Sequence, residues 1–340
     1  MREHQVNLAS TREVNRVKII TLKDGVKVKQ PGIYRMSNAW YHDNCCVGPS
    51  LSSTMAWALD QDCPRSVWFN SYLNKKREKK DVQRFDIGTA VHSAILEKDW
   101  MKHVTVVNAG NWSGSRAKFL KKQAKVTGGV ALLKDQAKKI FAMREALFSD
   151  KECADIATCG QNELSYFWLD EETGVWLKVR PDIRLRRNFG IRVYDLKSSQ
   201  GSSHVRAVQN RMIDMGYFLS AAMYLHVMEK VEGSRPYDFS LLCIEQAEPH
   251  LLNIVTIDEL AIEWGKIIMR KSIDLFAECL KNDEWPSYER GLTAELPRGY
   301  EMQLEDRKDK GEFGGPRRAS DGETRKVFGW GNDPKTLEAY

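Results

Sequence analysis

No stretch of this sequence approaches the ~20 consecutive apolar residues that a membrane-spanning helix needs. No Cys-x-x-Cys pair occurs either: the cysteines at 45, 46, 63, 153, 159, 243 and 279 are odd in number and lack metal-ligand spacing. That pattern argues against a zinc ribbon, an iron–sulfur site or a secreted disulfide scaffold, and for a reducing compartment. The opening run MREHQVNLASTREVNR is polar and charged, so no signal peptide is read and a cytoplasmic location is expected. There is no internal repeat and no strong charge of one sign. A net charge of +6 over 340 residues is compatible with a polyanionic partner without demanding one. What is present is a hydrophobic share of 42%, enough for a sizeable core in one large domain or two small ones.

Along the chain, residues 1–49 read as an irregular N-terminal segment with a strand at Val17–Leu22. Serines placed as N-caps predict a helix from Ser52 to Asp60, and Pro64 suits the first turn of another that runs into NKKREKK. The spacing of Val91, Ala94 and Ile95 predicts a helix in FDIGTAVHSAILE, residues 85–97, and two more are read at 115–125 and 131–148. The centre changes character. Glu163–Leu169, Val175–Val179 and Ile191–Leu196 are short, aromatic and β-branched, and are separated by turn signals, which predicts a β-meander. A single long helix from Ser203 to Val231, strands at Tyr237–Ile244 and Leu251–Ile257, and a helix from Asp258 to Leu280 follow. The expectation is one α/β domain over 1–295, a mixed central β-sheet flanked by helices with its core at about 85–260. The polar residues 296–340 are expected to form an extended or disordered tail.

Chemistry concentrates in VRPDIRLRRNFGIRVYDLKSSQ, residues 179–200. On a strand, Asp195 and Lys197 are two apart and share a face, while Tyr194 and Leu196 take the other. A hairpin between positions 182 and 195 would set Asp182 beside Asp195. Two adjacent carboxylates repel, and a hard divalent cation removes that cost. The lysine then orients and helps deprotonate a water and neutralises charge on a phosphoryl oxygen. Blander readings stand beside this one. Asp195 and Lys197 could be an ion pair on an exposed strand, Asp182 a turn acid, and His92 a helix histidine bonded to a carbonyl.

Pro181-Asp182 followed by Asp195-Leu196-Lys197 resembles the PD-(D/E)XK nuclease signature. GTAVHSAILE, NELSYFWLDEETGVWLKVRPD, PGIYRMSNAWYHDNCCVGPSLSST and MGYFLSAAMYL are similar, in order, to segments of exonuclease VIII-like (RecE-type) phage recombination nucleases. The resemblance implies a restriction-endonuclease-like core and a Mg²⁺-dependent 5′→3′ exonuclease on linear duplex DNA, with Mn²⁺ able to substitute. It also implies 3′ single-stranded tails, a single-strand annealing partner, a ring-shaped homo-oligomer, and a phage or prophage origin. It assigns metal ligation to His92, Asp182, Asp195 and the Leu196 carbonyl, an additional acid to Glu163, and catalysis to Lys197 with these acids. The family's Gln-x-x-x-Tyr becomes Ser220 and Tyr224 here. Tyr224 could equally be core, and Gln209 is an alternative source of an amide. A structure-selective or restriction-like endonuclease and a silent DNA-binding protein on the same fold remain alternatives.

Among the basic residues, Arg184, Arg186 and Arg187 lie next to the site in sequence and are expected to contact phosphates. Arg116, Lys118, Lys121, Lys122 and Lys125 recur near helical spacing and could line a DNA groove, and Trp112 could wedge a duplex end.

Overall fold

The computed structural model describes residues 17–77, 87–126, 129–188 and 190–313. The chain divides into two units, Met1–Tyr288 and Glu289–Tyr340. In the second, α11 (Arg298–Asp309) is a helix within the segment expected to be extended, with Glu301 in its first turn and Arg307 and Lys308 in its last, a charge order that suits the helix dipole. Residues 314–340 of the expected tail lie outside the described residues, as do Phe85, Asp86 and the end of NKKREKK.

The first unit begins with β1 (Ile19–Thr21), β2 (Gly32–Arg35), the one-turn α1 (Asn38–Tyr41) and β3 (Ser50–Ser52). Next come α2 (Ser53–Gln61), whose first turn is capped by the Ser52 hydroxyl accepting from the Met55 amide, and α3 (Pro64–Asn70) with proline at its start. Then follow α4 (Ile87–Leu96), β4 (Val104–Val107), α5 (Ser115–Val126), β5 (Val130–Leu133), α6 (Lys134–Ser149) and α7 (Lys151–Cys159). The helix expected over 131–148 thus opens as a strand. Val130–Leu133 is a four-residue apolar run, for which periodicity cannot separate strand from helix.

The expected meander is two hairpins in two sheets. β7 (Ser165–Leu169) and β8 (Trp176–Val179) pair antiparallel in the order β1-β2-β7-β8-β3. After β6 (Gln161–Asn162), the second sheet draws on β9 (Ile183–Arg187), β10 (Gly190–Ser199), β11 (Asp238–Glu245) and β12 (Leu252–Thr256), in the order β12-β11-β10-β9-β6. This second sheet is mixed: β10 and β11 run parallel, while β9–β10 and β11–β12 are antiparallel. The switch between sheets falls on Arg180-Pro181-Asp182, where Pro181 cannot donate to a ladder.

The single helix expected from 203 to 231 is two, α8 (Val205–Asp214) and α9 (Tyr217–Glu232). Between them Gly216 takes φ +64°, and a Cβ there would stand 2.2 Å from the Trp57 ring. Only glycine satisfies both demands. α10 (Glu259–Asn282), capped by Asp258 as expected, lies close against α9, because Gly265 leaves room for the Phe218 carbonyl.

Both faces of the second sheet are covered. Ile191 and Val193 of β10 join a core with Leu219, Met223 and Leu225 of α9, while Tyr194 and Leu196 join another with Val91 and Ile95 of α4 and Ile140 of α6. Alternate residues of one strand therefore serve two cores, which is why it reads as almost continuously apolar. A buried knot ties the sheets together. Glu232 at the end of α9 accepts from the Tyr166 hydroxyl of β7 at 2.8 Å and from Arg184 Nε of β9 at 2.7 Å. No helix among the described residues is long and apolar enough to cross a membrane.

Candidate active site

The register that pairs Tyr194 with Ile183 carries Asp195 past the end of β9, where Asp182 waits. The Leu196 amide donates to Asp182 Oδ2 at 2.7 Å. Asp195 and Lys197 form an ion pair on the same face of β10. From the other side α4 presents His92, whose Nδ1 stands 3.6 Å from Asp182 Oδ2. Four of the expected residues therefore converge at one strand end. The Leu196 backbone meets the site through its amide.

Electrostatics mark this as a charged site in an apolar setting. Burial pushes the Asp182 carboxyl up to about 6; His92 opposes the rise and the Asp195 carboxylate adds to it. Burial disfavours the ammonium of Lys197, but Asp195 and then Asp182 outweigh it and hold the group above its ordinary range. Lys197 is thus held beside Asp195 as a cation in this arrangement.

The remaining expected residues sit in varied places. Tyr224 lies at the site's floor, its hydroxyl donating to the Arg180 carbonyl at 3.2 Å, and burial followed by Asp195 raises its pKa well above the usual phenol range. Glu163 is not on a strand. It takes φ +53° between β6 and β7, and its amide donates to the Asp182 carbonyl at 3.1 Å. Its carboxylate faces Arg180 at 3.4 Å. A non-glycine residue in the left-handed region costs of order 1 kcal/mol and persists because its surroundings fix it. Among the described residues, no hydrogen bond joins the Ser220 hydroxyl to the site, and Gln209 is exposed on α8 without one.

Arg184 is a correction. It is 7% exposed, and Glu232 and Gln161 take its guanidinium, so it faces the interior and not a phosphate. It shares a face of β9 with Arg186, and both reach Glu232, but Arg184 lies in the covered start of the strand whereas Arg186 stands near its open end. Arg186 remains exposed and touches Glu232 at 3.0 Å, while Arg187 pairs with Asp155 of α7. Arg116, Lys118, Lys121 and Lys122 are exposed on α5, in a unit separate from both five-stranded sheets. Trp112 is half-buried beneath Lys121.

Two residues of the site were not singled out from sequence. Tyr217, first in α9, places its ring 4.8 Å from Lys197 Nζ. Arg180, with its side chain 11% exposed, reaches Glu163, the Met36 carbonyl and the Ser165 hydroxyl through contacts of 3.3–3.4 Å, and its Nε is buried without a partner. Lys178 in the apolar β8 and Arg180 just past its end carried a readable signal, since such cations need a reason to be there.

Among the described residues no three His, Cys, Asp or Glu side chains are gathered so as to hold a metal ion by themselves. The donor set nonetheless fits a hard divalent ion. Mg²⁺ commonly keeps several waters and takes only one or two carboxylates from the protein. Burial and the nearby Asp195 disfavour an ionised Asp182, a penalty that such an ion relieves.

Residues 52–293 match the family model of a PDDEXK-like domain of unknown function, DUF3799. The chain belongs to this family. Within the DUF3799 span, Pro181-Asp182 and Asp195-Leu196-Lys197 supply the residues after which PD-(D/E)XK folds are named. A candidate exonuclease from Eubacterium rectale superposes with a TM-score of 0.51 at 14% identity, covering 75% of this chain and 92% of that one, a likeness of fold. An alkaline exonuclease, LHK-Exo, from Laribacter hongkongensis aligns at 9% identity over 57% of this chain and 90% of that one. Its TM-score of 0.28 is too low to bear on this DUF3799 chain. No curated protein matches the chain significantly.

Proposed function

We propose that this chain is a divalent-metal-dependent deoxyribonuclease that digests linear double-stranded DNA from its ends in the 5′→3′ direction. The products would be 3′ single-stranded tails for recombination by strand annealing. The observation that carries the reading is the meeting of Asp182, Asp195 and Lys197 at one end of β10, opposite His92 on α4. The family supports the fold, and the name of the Eubacterium rectale candidate exonuclease agrees in kind with the activity.

When bound, Mg²⁺ or Mn²⁺ would supply Lewis-acid polarisation of the scissile phosphodiester and activation of water. Asp182, Asp195 and the His92 imidazole are the side chains that would hold it, with the Leu196 carbonyl as a backbone donor. The chain's own part follows from its geometry. Asp195 holds the Lys197 ammonium in place, and the Tyr217 ring lies against it. A fixed ammonium offsets negative charge growing on a phosphoryl oxygen and can give a proton to the departing oxygen. The Leu196 amide fixes the Asp182 carboxylate, so the acid points without rearrangement. Tyr224 and Glu163 brace the Arg180–Asp182 crossover through its carbonyls. Arg186 is the exposed cation of β9 best placed for a phosphate. A ring-shaped homo-oligomer and an annealing partner belong to this reading as expectations.

The test is digestion of a linear duplex labelled at either end, with Mg²⁺ and with EDTA, alongside a covalently closed circle. Label release from the 5′ ends, no digestion in EDTA and an intact circle are expected. Cleavage of the circle would replace the reading with an endonuclease.

A further inference from the structure

β4, α5 and β5 form a β-α-β unit that belongs to neither large sheet. β4 and β5 pair only with each other, in parallel, from Val104↔Val130 to Val107↔Leu133, and α5 crosses between them. The unit has its own small core of Val107, Ala117, Ala124 and Ala131, on which Trp112 and Leu120 pack. Alanines on the inner face bring the helix close to its two strands, and the outer face is left free for other work. The unit is seated beside the helix that carries His92, since Val104 and Val130 pack against the core containing Val91 and Ile95 of α4.

Charge is the unusual feature. Residues 104–133 contain Arg116, Lys118, Lys121, Lys122 and Lys125 and no Asp or Glu, so this short segment carries five of the chain's net six positive charges. Among the described residues none of Arg116, Lys118, Lys121 and Lys122 has an acidic partner, whereas Arg180, Arg184, Arg186, Arg187 and Arg192 each do. Lys121 is held instead over the Trp112 ring at 4.8 Å. Between the lysines stands Phe119, 63% exposed, with Val126 two turns on at 79%. Unpaired cations around an exposed aromatic ring suit a polyanion that also offers flat π-faces. Double-stranded DNA presents the charge but keeps its bases stacked inside.

We infer that the outer face of α5 is a grip for single-stranded nucleic acid, with Arg116, Lys118 and Lys122 on phosphates and Phe119 stacked on a base. The inference takes its ligand class from the nuclease reading. Its test runs without cleavage, so that the two can fail separately.

The probes are a fluorescein-labelled 30-nucleotide single strand and a 30-base-pair duplex, titrated by anisotropy in EDTA over a range of salt. For the combined variant Arg116→Ser, Lys118→Ser and Lys122→Ser, single-strand affinity should fall at least tenfold. The slope of log affinity against log salt should shrink by about 2, at ~0.7 per phosphate contact. Phe119→Ala should weaken the single strand roughly tenfold and the duplex far less. It also provides an independent measurement should the combined variant not fold. An unchanged affinity and salt slope in the combined variant would overturn the grip. Equal losses on duplex and single strand in Phe119→Ala would overturn its assignment to single strands. Absence of digestion by wild type in Mg²⁺ would instead count against the nuclease reading alone.

Discussion

At the scale of single residues, the site depends on how Asp182 and Lys197 share charge. Asp182 is raised by burial to about 6, above the unfolded value of a carboxyl, so the folded, metal-free protein binds the extra proton. Its stability should therefore fall as pH rises from about 4 through 6 and level off above. A divalent ion needs the deprotonated acid and reverses this trend. The rise in melting temperature on adding Mn²⁺ should be clear at pH 7.5 and nearly absent at pH 5. Equal shifts at both values would remove Asp182 from the ligand set. Lys197→Ala should abolish digestion of linear duplex with folding retained, and Lys197→Arg should not restore it, because a planar guanidinium does not replace a compact ammonium. Tyr217 lies beneath that ammonium. Tyr217→Phe keeps the ring and should keep most activity, whereas Tyr217→Leu should lower kcat at least several-fold by loosening Lys197.

The elements explain which parts of this were legible in sequence. Asp195 and Lys197 could be placed on one face because strand alternation is strict, and Asp182 could be paired with them because only a short turn separates β9 from β10. The helices capped by Ser52 and Asp258 and started by Pro64 were legible through their first turns. Tyr217 was not, since it acts on a neighbour from a different element, and a contact of that kind has no local signature. The break between α8 and α9 left a single trace, Gly216, inside an apolar pattern that continues across it. That glycine carries a sharp expectation. Gly216→Ala forces a left-handed alanine into the Trp57 ring and should cost roughly 2–4 kcal/mol in denaturant unfolding. Arg184 was misplaced for a related reason: a run of three cations in IRLRR reads as surface, yet β9 turns one of them into a buried pair.

For the whole molecule, the lesson of IRLRR lies in what that buried arginine holds. Glu232, with its side chain 3% exposed, joins β7 of one sheet and β9 of the other to the end of α9. Removing one partner of a buried pair is worse than never having built it. Glu232→Ala should destabilise the fold by about 3–5 kcal/mol, read as a lower urea midpoint. Arg186→Ala, exposed and sharing the same acid, should cost well under half of that. The net charge of the chain conceals how unevenly it is spread, and a whole-sequence value of +6 gave no hint that the thirty residues 104–133 supply most of it.

The passage of the backbone from one sheet to the other through Arg180, Pro181 and Asp182 makes the putting-together of the reaction centre a test of alignment between two layers. Asp182 rides on the joint, whereas Asp195 and Lys197 ride on the second layer alone. A slight slippage between the layers would part the acids while leaving every strand and helix intact. Warming should thus end the proposed DNA digestion some degrees before circular dichroism registers any melting, and Glu232→Ala should widen that gap.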